Sequence, residues 1–213
     1  KGFSQGLYDC CDQFGVSLIG GDTTQSPHLT ITVTALGWIE SGKAVTRSGA
    51  QPGDFICVSG TVGDAAYGLR HLGHPLQKRL DYPSPRCQLG QQLKGLASSM
   101  IDISDGLAQD IGHILKASGV GAELWVDALP SLPDLRACLP LERWREFVLA
   151  GGDDYELVFT AAPADRARVL AAAEQSATAV TRVGRINNTS GLRMVAADGG
   201  EIILTSLGFD HFG

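Results

Sequence analysis

Residues 99–115 leave the chain little conformational choice. Ser99-Met100-Ile101 is a short apolar lead that reads as a strand. Leu107, Ile111, Ile114 and Leu115 then recur at i, i+4, i+7 and i+8, the spacing of one helix face. Between them stands Asp102-Ile103-Ser104-Asp105-Gly106, so a strand must hand over to a helix within one turn. Ser104 or Asp105 is expected to cap that helix, because a side-chain oxygen there takes up an orphan backbone N–H. One cap uses one residue, which leaves an acid over.

Two other stretches set glycine beside carboxylate: Gly20-Gly21-Asp22-Thr23-Thr24 and Gly151-Gly152-Asp153-Asp154-Tyr155-Glu156. A single Gly-Asp step is an ordinary turn. Three such corners beside apolar segments, with more acids than caps require, point to a cation. Hard oxygen ligands suit Mg²⁺, which commonly takes one or two carboxylates and completes its shell from phosphates and water. The pattern therefore predicts nucleotide chemistry. Glycine lets backbone come close to a phosphate, and Thr23, Thr24 and Ser104 add hydroxyl donors. Arg47, in the turn-rich run 47–54, could clamp phosphate oxygens bidentately or serve as a solvated surface charge.

Other classes are disfavoured. A net charge of −6 argues against a nucleic-acid surface, and no apolar run approaches the ~18 residues of a membrane span. The five cysteines include no C-x-x-C and read as reduced, buried thiols of a cytoplasmic protein. Phosphate-loop, kinase-type glycine loop, dinucleotide and G-x-S-x-G motifs are missing, and the five histidines form no zinc-spaced pair.

Along the chain, periodicity predicts a helix over 3–14, a short strand Val16–Ile19 and an alternating strand Thr30–Leu36 that turns back towards Ala44-Val45-Thr46. The turn formers of 47–54 mark a boundary, dividing residues 1–53 from 54–213. Beyond it, a buried strand Phe55–Ser59, a helix capped by Asp64, a helix over 88–96, a strand Ala122–Val126 and a helix around Trp144 follow. A strand Tyr155–Thr160, a helix Pro163–Gln175, a strand Ala179–Val183 and a hairpin joining Leu192–Val195 to Glu201–Leu204 complete the order. Helices interleave with hairpins, so the expected class is mixed α+β.

Taken in order, Gly20-Gly21-Asp22-Thr23-Thr24, Thr46-Arg47-Ser48-Gly49-Ala50, Asp102 to Leu107, Gly151 to Leu157 and Gly208-Phe209-Asp210-His211-Phe212 resemble the thiamine-monophosphate kinase family. That family shares a superfamily with aminoimidazole-ribonucleotide synthetase, selenophosphate synthetase and a hydrogenase-maturation dehydratase. The resemblance implies a two-domain fold, of which this chain would hold the end of the first α/β domain and a complete carboxy-terminal mixed-sheet α+β domain. It implies Mg²⁺-dependent transfer of the γ-phosphoryl of ATP onto thiamine monophosphate, in a cytoplasmic homodimer without nucleic-acid or membrane partners. Asp22, Asp102 and Asp105 would be metal ligands; Gly21, Asp22, Arg47 and Ser104 would contact ATP; Asp153 and Phe209 would meet the thiamine substrate. The family usually carries Glu where Asp153 stands, and its members have a further acidic amino-terminal part that this sequence lacks. The expectation is thus a chain inactive or nearly so alone. A non-catalytic nucleotide-binding module, or another ATP-using enzyme of the superfamily, is the alternative.

Overall fold

Strands buried on both faces need neighbours on both edges, and Phe55–Ser59 meets that demand. In the computed structural model, which describes residues 2–209, this segment is β1 of the larger of two units, 39–213. There follow α2 (Asp64–Arg70), α3 (Gln77–Asp81), α4 (Cys87–Gln92), β2 (Ala97–Asp102), α5 (Leu107–Ser118) and β3 (Gly121–Trp125), where α1 is the helix of the smaller unit. Next come α6 (Pro133–Cys138), α7 (Leu141–Ala150), β4 (Leu157–Ala161), α8 (Arg166–Gln175), β5 (Val180–Asn187) and β6 (Gly191–Val195).

The six strands form one sheet in the order β2-β4-β1-β5-β3-β6. Every neighbouring pair is antiparallel except β3 and β6, which run parallel. The mixed α+β class is therefore observed. Side chains alternate across the sheet as the strand period requires. Ile56 and Val58 join a large core with Ile101, Val158, Leu107 and Phe147, whereas Cys57 joins Phe159, Leu89 and Val169 in a second core.

The smaller unit, 1–38, contains α1 (Gly2–Phe14), a helix with no buried residue. The strands expected at Val16–Ile19 and Thr30–Leu36 are not formed. A strand exists only as part of a ladder, and no partner segment lies alongside within the described unit. Ile31, Val33 and Leu36 stay exposed. Thr46, expected to return as the second hairpin strand, instead gives its carbonyl to the Met100 amide at 2.9 Å.

The hairpin of 192–195 with 201–204 is present but short: one antiparallel bridge, Val195 with Glu201, flanked by Ile202 N–H to Met194 O and Ala196 N–H to Gly200 O, both at 2.9 Å, while the other edge of β6 pairs with β3. Two further expectations change. Asp64 does not cap α2; its Oδ1 accepts the Leu132 amide at 3.2 Å, and the amides of Gly63 and Ala65 go to Asp154. Among the cysteines only Cys57 is buried; Cys10, Cys87 and Cys138 are exposed.

The connector carrying α3 and α4 is fastened by one buried carboxylate. Glu156 has no exposed surface and accepts Ser59 Oγ at 2.6 Å, Arg86 Nε and Nη2 at 2.7 and 2.6 Å, and Arg79 Nη2 at 3.0 Å. Gly60, at φ +54°, makes room for it: a Cβ there would stand 2.1 Å from Glu156 Oε1. Removing one partner of a buried pair strands the other, at about 3–5 kcal/mol. Glu156→Gln should thus lower unfolding stability by that amount in urea titrations. A loss below ~1 kcal/mol, the range of surface pairs, would refute this role.

Candidate functional site

The ladder between β2 and β4 continues past both strands into the two acidic corners. Ile103 N–H donates to Glu156 O (2.8 Å), Tyr155 N–H to Ile103 O (2.9 Å) and Asp153 N–H to Ser104 O (2.9 Å). The corners pack so closely that a Cβ on Gly152 would lie 2.4 Å from Ser104 O. The carboxy-terminal segment joins them, since Phe209 N–H donates to Asp105 O at 2.9 Å and Gln109 Nε2 to Phe209 O at 2.9 Å. Segments some 50 residues apart in sequence thus meet at one sheet end.

The helix start differs from expectation. The amides of Ser104, Asp105 and Gly106 all donate to Asp110 Oδ2, at 3.1, 3.2 and 3.2 Å. Asp110, within α5, reaches back to do the work expected of Ser104 or Asp105. Both Asp102 and Asp105 are therefore surplus to capping. Burial pushes the Asp110 carboxyl up against the downward pull of these amides.

The second corner sorts its acids by direction. Asp153 and Tyr155 have φ of +65° and +51°, a left-handed conformation uncommon outside glycine that marks functional sites. The backbone thereby turns Asp154 and Glu156 inward, both buried, while Asp153 is half-buried and Tyr155 is 40% exposed. Asp154 accepts Gly63 N–H at 2.6 Å and Ala65 N–H at 3.2 Å, and burial pushes it up to about 8.

Ser104, Asp105, Asp153 and Phe209 line one basin of about 660 Å³, together with Tyr155 and Arg70. Asp102, exposed at the end of β2, lies in a neighbouring cleft of about 400 Å³, and Tyr155 borders both. Burial first, then the negative charge of Asp153, Asp102 and Asp105, holds the Tyr155 phenol above its ordinary range. These carboxylates thus act on one point. Two carboxylates, Asp102 and Asp105, fit a hard divalent cation that draws its other ligands from phosphate and water. Among the described residues no three His, Cys, Asp or Glu side chains form a metal-holding group.

Of the remaining candidates in the larger unit, Arg47 is not among the residues lining the basin. Arg47 is exposed, and its carbonyl accepts Ser118 Oγ at 3.3 Å. Gly21 and Asp22 belong to the smaller unit, where Asp22 Oδ1 accepts the Thr23 amide at 2.7 Å. Asp210, His211 and Phe212 lie outside the described residues. Arg70 was not foreseen. It arrives from α2, distant in sequence and without a motif, its guanidinium 5.1 Å from the centre of the Phe147 ring. Among the described residues, no helix is long and apolar enough to cross a membrane.

The family model described as AIR synthase related protein, C-terminal domain, matches residues 51–197, and its N-terminal counterpart matches residues 1–39. Thiamine-monophosphate kinase of Escherichia coli (strain K12) is 41% identical, over 100% of this chain and 68% of its own length. That of Haemophilus influenzae is 41% identical, over 99% and 68%. The chain thus spans about two thirds of these relatives. Among solved structures, thiamine-monophosphate kinase from Stenotrophomonas maltophilia K279a superposes with a TM-score of 0.82 at 38% identity, covering 94% of this chain and 67% of that one. A structure described as AaThiL complexed with AMPPCP and TMP gives 0.63 at 30% identity, covering 79% and 54%.

The raised Asp154 carboxyl makes a pH prediction. Its folded value of about 8 lies above the ordinary value of ~3.9. The folded chain therefore binds a proton that the unfolded chain has released, and stability falls as pH rises through that window. Urea midpoints should drop between pH 6 and 9, by at most ~1.4 kcal/mol per pH unit from this group. Asp154→Asn should flatten the profile; an unchanged slope would show that the carboxyl is already ionised at pH 6.

Proposed function

Because the chain belongs to the thiamine-monophosphate kinase family of AIR synthase related proteins, we propose that the reaction it serves is phosphorylation of thiamine monophosphate to thiamine diphosphate at the expense of ATP, the 213 residues by themselves being inactive or nearly so. The observation that carries this reading is the convergence of Ser104, Asp105, Asp153 and Phe209 on one basin with Asp102 beside it. A relative of the same fold is described as bound to AMPPCP and TMP, which supports a site with room for both a nucleotide and a phosphate ester.

In the proposed transfer, a phosphate oxygen of thiamine monophosphate attacks the γ-phosphorus of ATP. The bond to the bridging oxygen breaks, and ADP leaves with that electron pair. No covalent enzyme intermediate is required, so the protein contributes positioning and charge. Asp102 and Asp105 would hold Mg²⁺, which when bound supplies neutralisation of the phosphate charge. Ser104 donates a hydroxyl to the nucleotide side. Phe209 offers an aromatic face to the thiamine rings, and Asp153 offers a carboxylate to their cationic thiazolium. Arg47, Gly21 and Asp22 complete the proposed ATP contacts. Asp153 has a shorter arm than Glu, and its left-handed backbone fixes where that arm starts.

Two copies pairing through residues 30–36 form part of this reading. Ile31 and Val33 alternate with threonines there and stay exposed, and an unpaired strand-like segment is a template for another chain. Light scattering should find a dimer that Val33→Lys weakens; a monomer for the unsubstituted chain at micromolar concentration would remove the dimer from the proposal.

Turnover is tested by following thiamine diphosphate and ADP with Mg²⁺, ATP and thiamine monophosphate. The 213-residue chain should stay well below ~1 s⁻¹, because among the described residues of the larger unit just two acids, Asp102 and Asp105, are proposed to serve the cation. Asp102→Asn or Asp105→Asn, in a form with measurable activity, should lose about 100-fold or more while melting as the parent does. Parent-like turnover in both variants would refute the metal-ligand roles.

A further inference from the structure

A second cleft opens at the other end of β4. Asp102 pairs with Leu157 at the acidic end, while Phe55 and Ala97 pair with Ala161. Four residues at ~3.3 Å each put the two ends ~13 Å apart. Phe55, Cys57, Val169, Leu170 and Val180 line this cleft, whose volume is about 230 Å³. An apolar cavity of ~150 Å³ is enough to take up benzene, so one ring with a small substituent fits here.

Two arginines, Arg166 and Arg182, stand on the same cleft. Neither has a carboxylate partner among the described residues, in a chain whose net charge is −6. Their neighbours are paired: Arg168 with Asp165 at 2.7 Å, and Arg185 and Arg193 with Glu123 at 3.3 and 2.9 Å. Arg182 is also held in place. Its guanidinium carbon lies 3.7 Å from the centre of the Phe55 ring and 4.7 Å from that of Trp125. Stacking of this kind engages the faces of the guanidinium and leaves its N–H edge for an anion. The charge also reaches the cleft floor, since Arg182 pulls down a Cys57 thiol that burial has pushed up to about 11.

We propose that this cleft binds a small amphipathic anion: a single aromatic ring or short alkyl group in the apolar floor, with its carboxylate or phosphate on Arg166 and Arg182. The apolar walls and the two cations, neither paired with a carboxylate among the described residues, each select one half of that ligand. The site is separate from the acidic basin, where an anion meets carboxylates first.

The test titrates the ¹⁵N-labelled chain with benzoate, phenyl phosphate and uncharged benzyl alcohol. Amide shifts should saturate at Phe55, Val169, Leu170 and Val180 with a Kd of about 1 mM or tighter for at least one anion. Benzyl alcohol should bind about tenfold more weakly, the worth of one charge-assisted contact. The tighter anion identifies the headgroup. Arg166→Gln with Arg182→Gln should weaken anion binding at least about tenfold. Losing the Arg182 stack could loosen Phe55, so Leu170→Trp, a change from a half-exposed position that fills the cleft and keeps both charges, should block binding independently. The proposal is overturned if no saturable shifts appear, or if shifts appear only around Ser104–Tyr155. Equal binding of benzyl alcohol, or undiminished binding in both variants, overturns it too.

Discussion

The buried carboxylate of Glu156 governs where the larger unit puts its functional acids. Isolated in the interior, such a charge is prohibitive; here Ser59, Arg79 and Arg86 supply every donor it needs. Those donors come from the end of β1, from α3 and from the start of α4, so one side chain draws three segments onto the sheet. Ser59 Oγ also accepts the Leu157 amide at 2.8 Å, which ties the first residue of β4 into the same knot. With Glu156 fixed inward, the residues just before it are committed. Asp154 must also point in, and the left-handed turns at Asp153 and Tyr155 bring those two out towards the basin.

The acids of this region therefore divide by what they hold. Asp110 takes three amides of the first corner, and Asp154 takes two at the start of α2. Each satisfies backbone donors that a buried helix start would otherwise leave unmet. Asp102, Asp105 and Asp153 face the two clefts, and their combined field is felt by Tyr155. The same residue type thus serves as scaffold on one side of the backbone and as a set of candidate ligands on the other.

Much of this was legible beforehand, for reasons that particular residues explain. β1, β2, α5 and α7 declare themselves because their apolar spacing agrees with their burial. The acidic corners were legible as a group because glycine beside carboxylate is a local signal. The assignment of caps was not, because Asp110 and Asp154 act on amides four or more residues away, one of them across the fold. The segment 30–36 has the alternation of a strand but no ladder to join, and alternation encodes only a tendency to pair. β6 itself is legible as the strand Leu192–Val195, but its partner is not: β3 lies some 70 residues earlier, and parallel pairing leaves no turn signature. Arg70 could not be found at all from sequence, since nothing local distinguishes it from other helix-end arginines.

The sheet also carries opposite charge at the two ends of β4, and that polarity bears on specificity. At the Leu157 end, Asp102, Asp105 and Asp153 repel a bare phosphate, with Arg70 the one arginine among the described residues lining the basin, so an accompanying cation would favour an anion there. At the Ala161 end, Arg166 and Arg182 attract an anion directly and the apolar floor demands a hydrophobic body. A free nucleotide lacks the second property in its triphosphate, and a small aryl anion lacks the charge needed to bring a divalent cation into the basin. The two ends thus discriminate by different physics. Under the two proposals, one end would select phosphate through the metal that accompanies it, and the other would select amphipathic shape through desolvation around a fixed guanidinium.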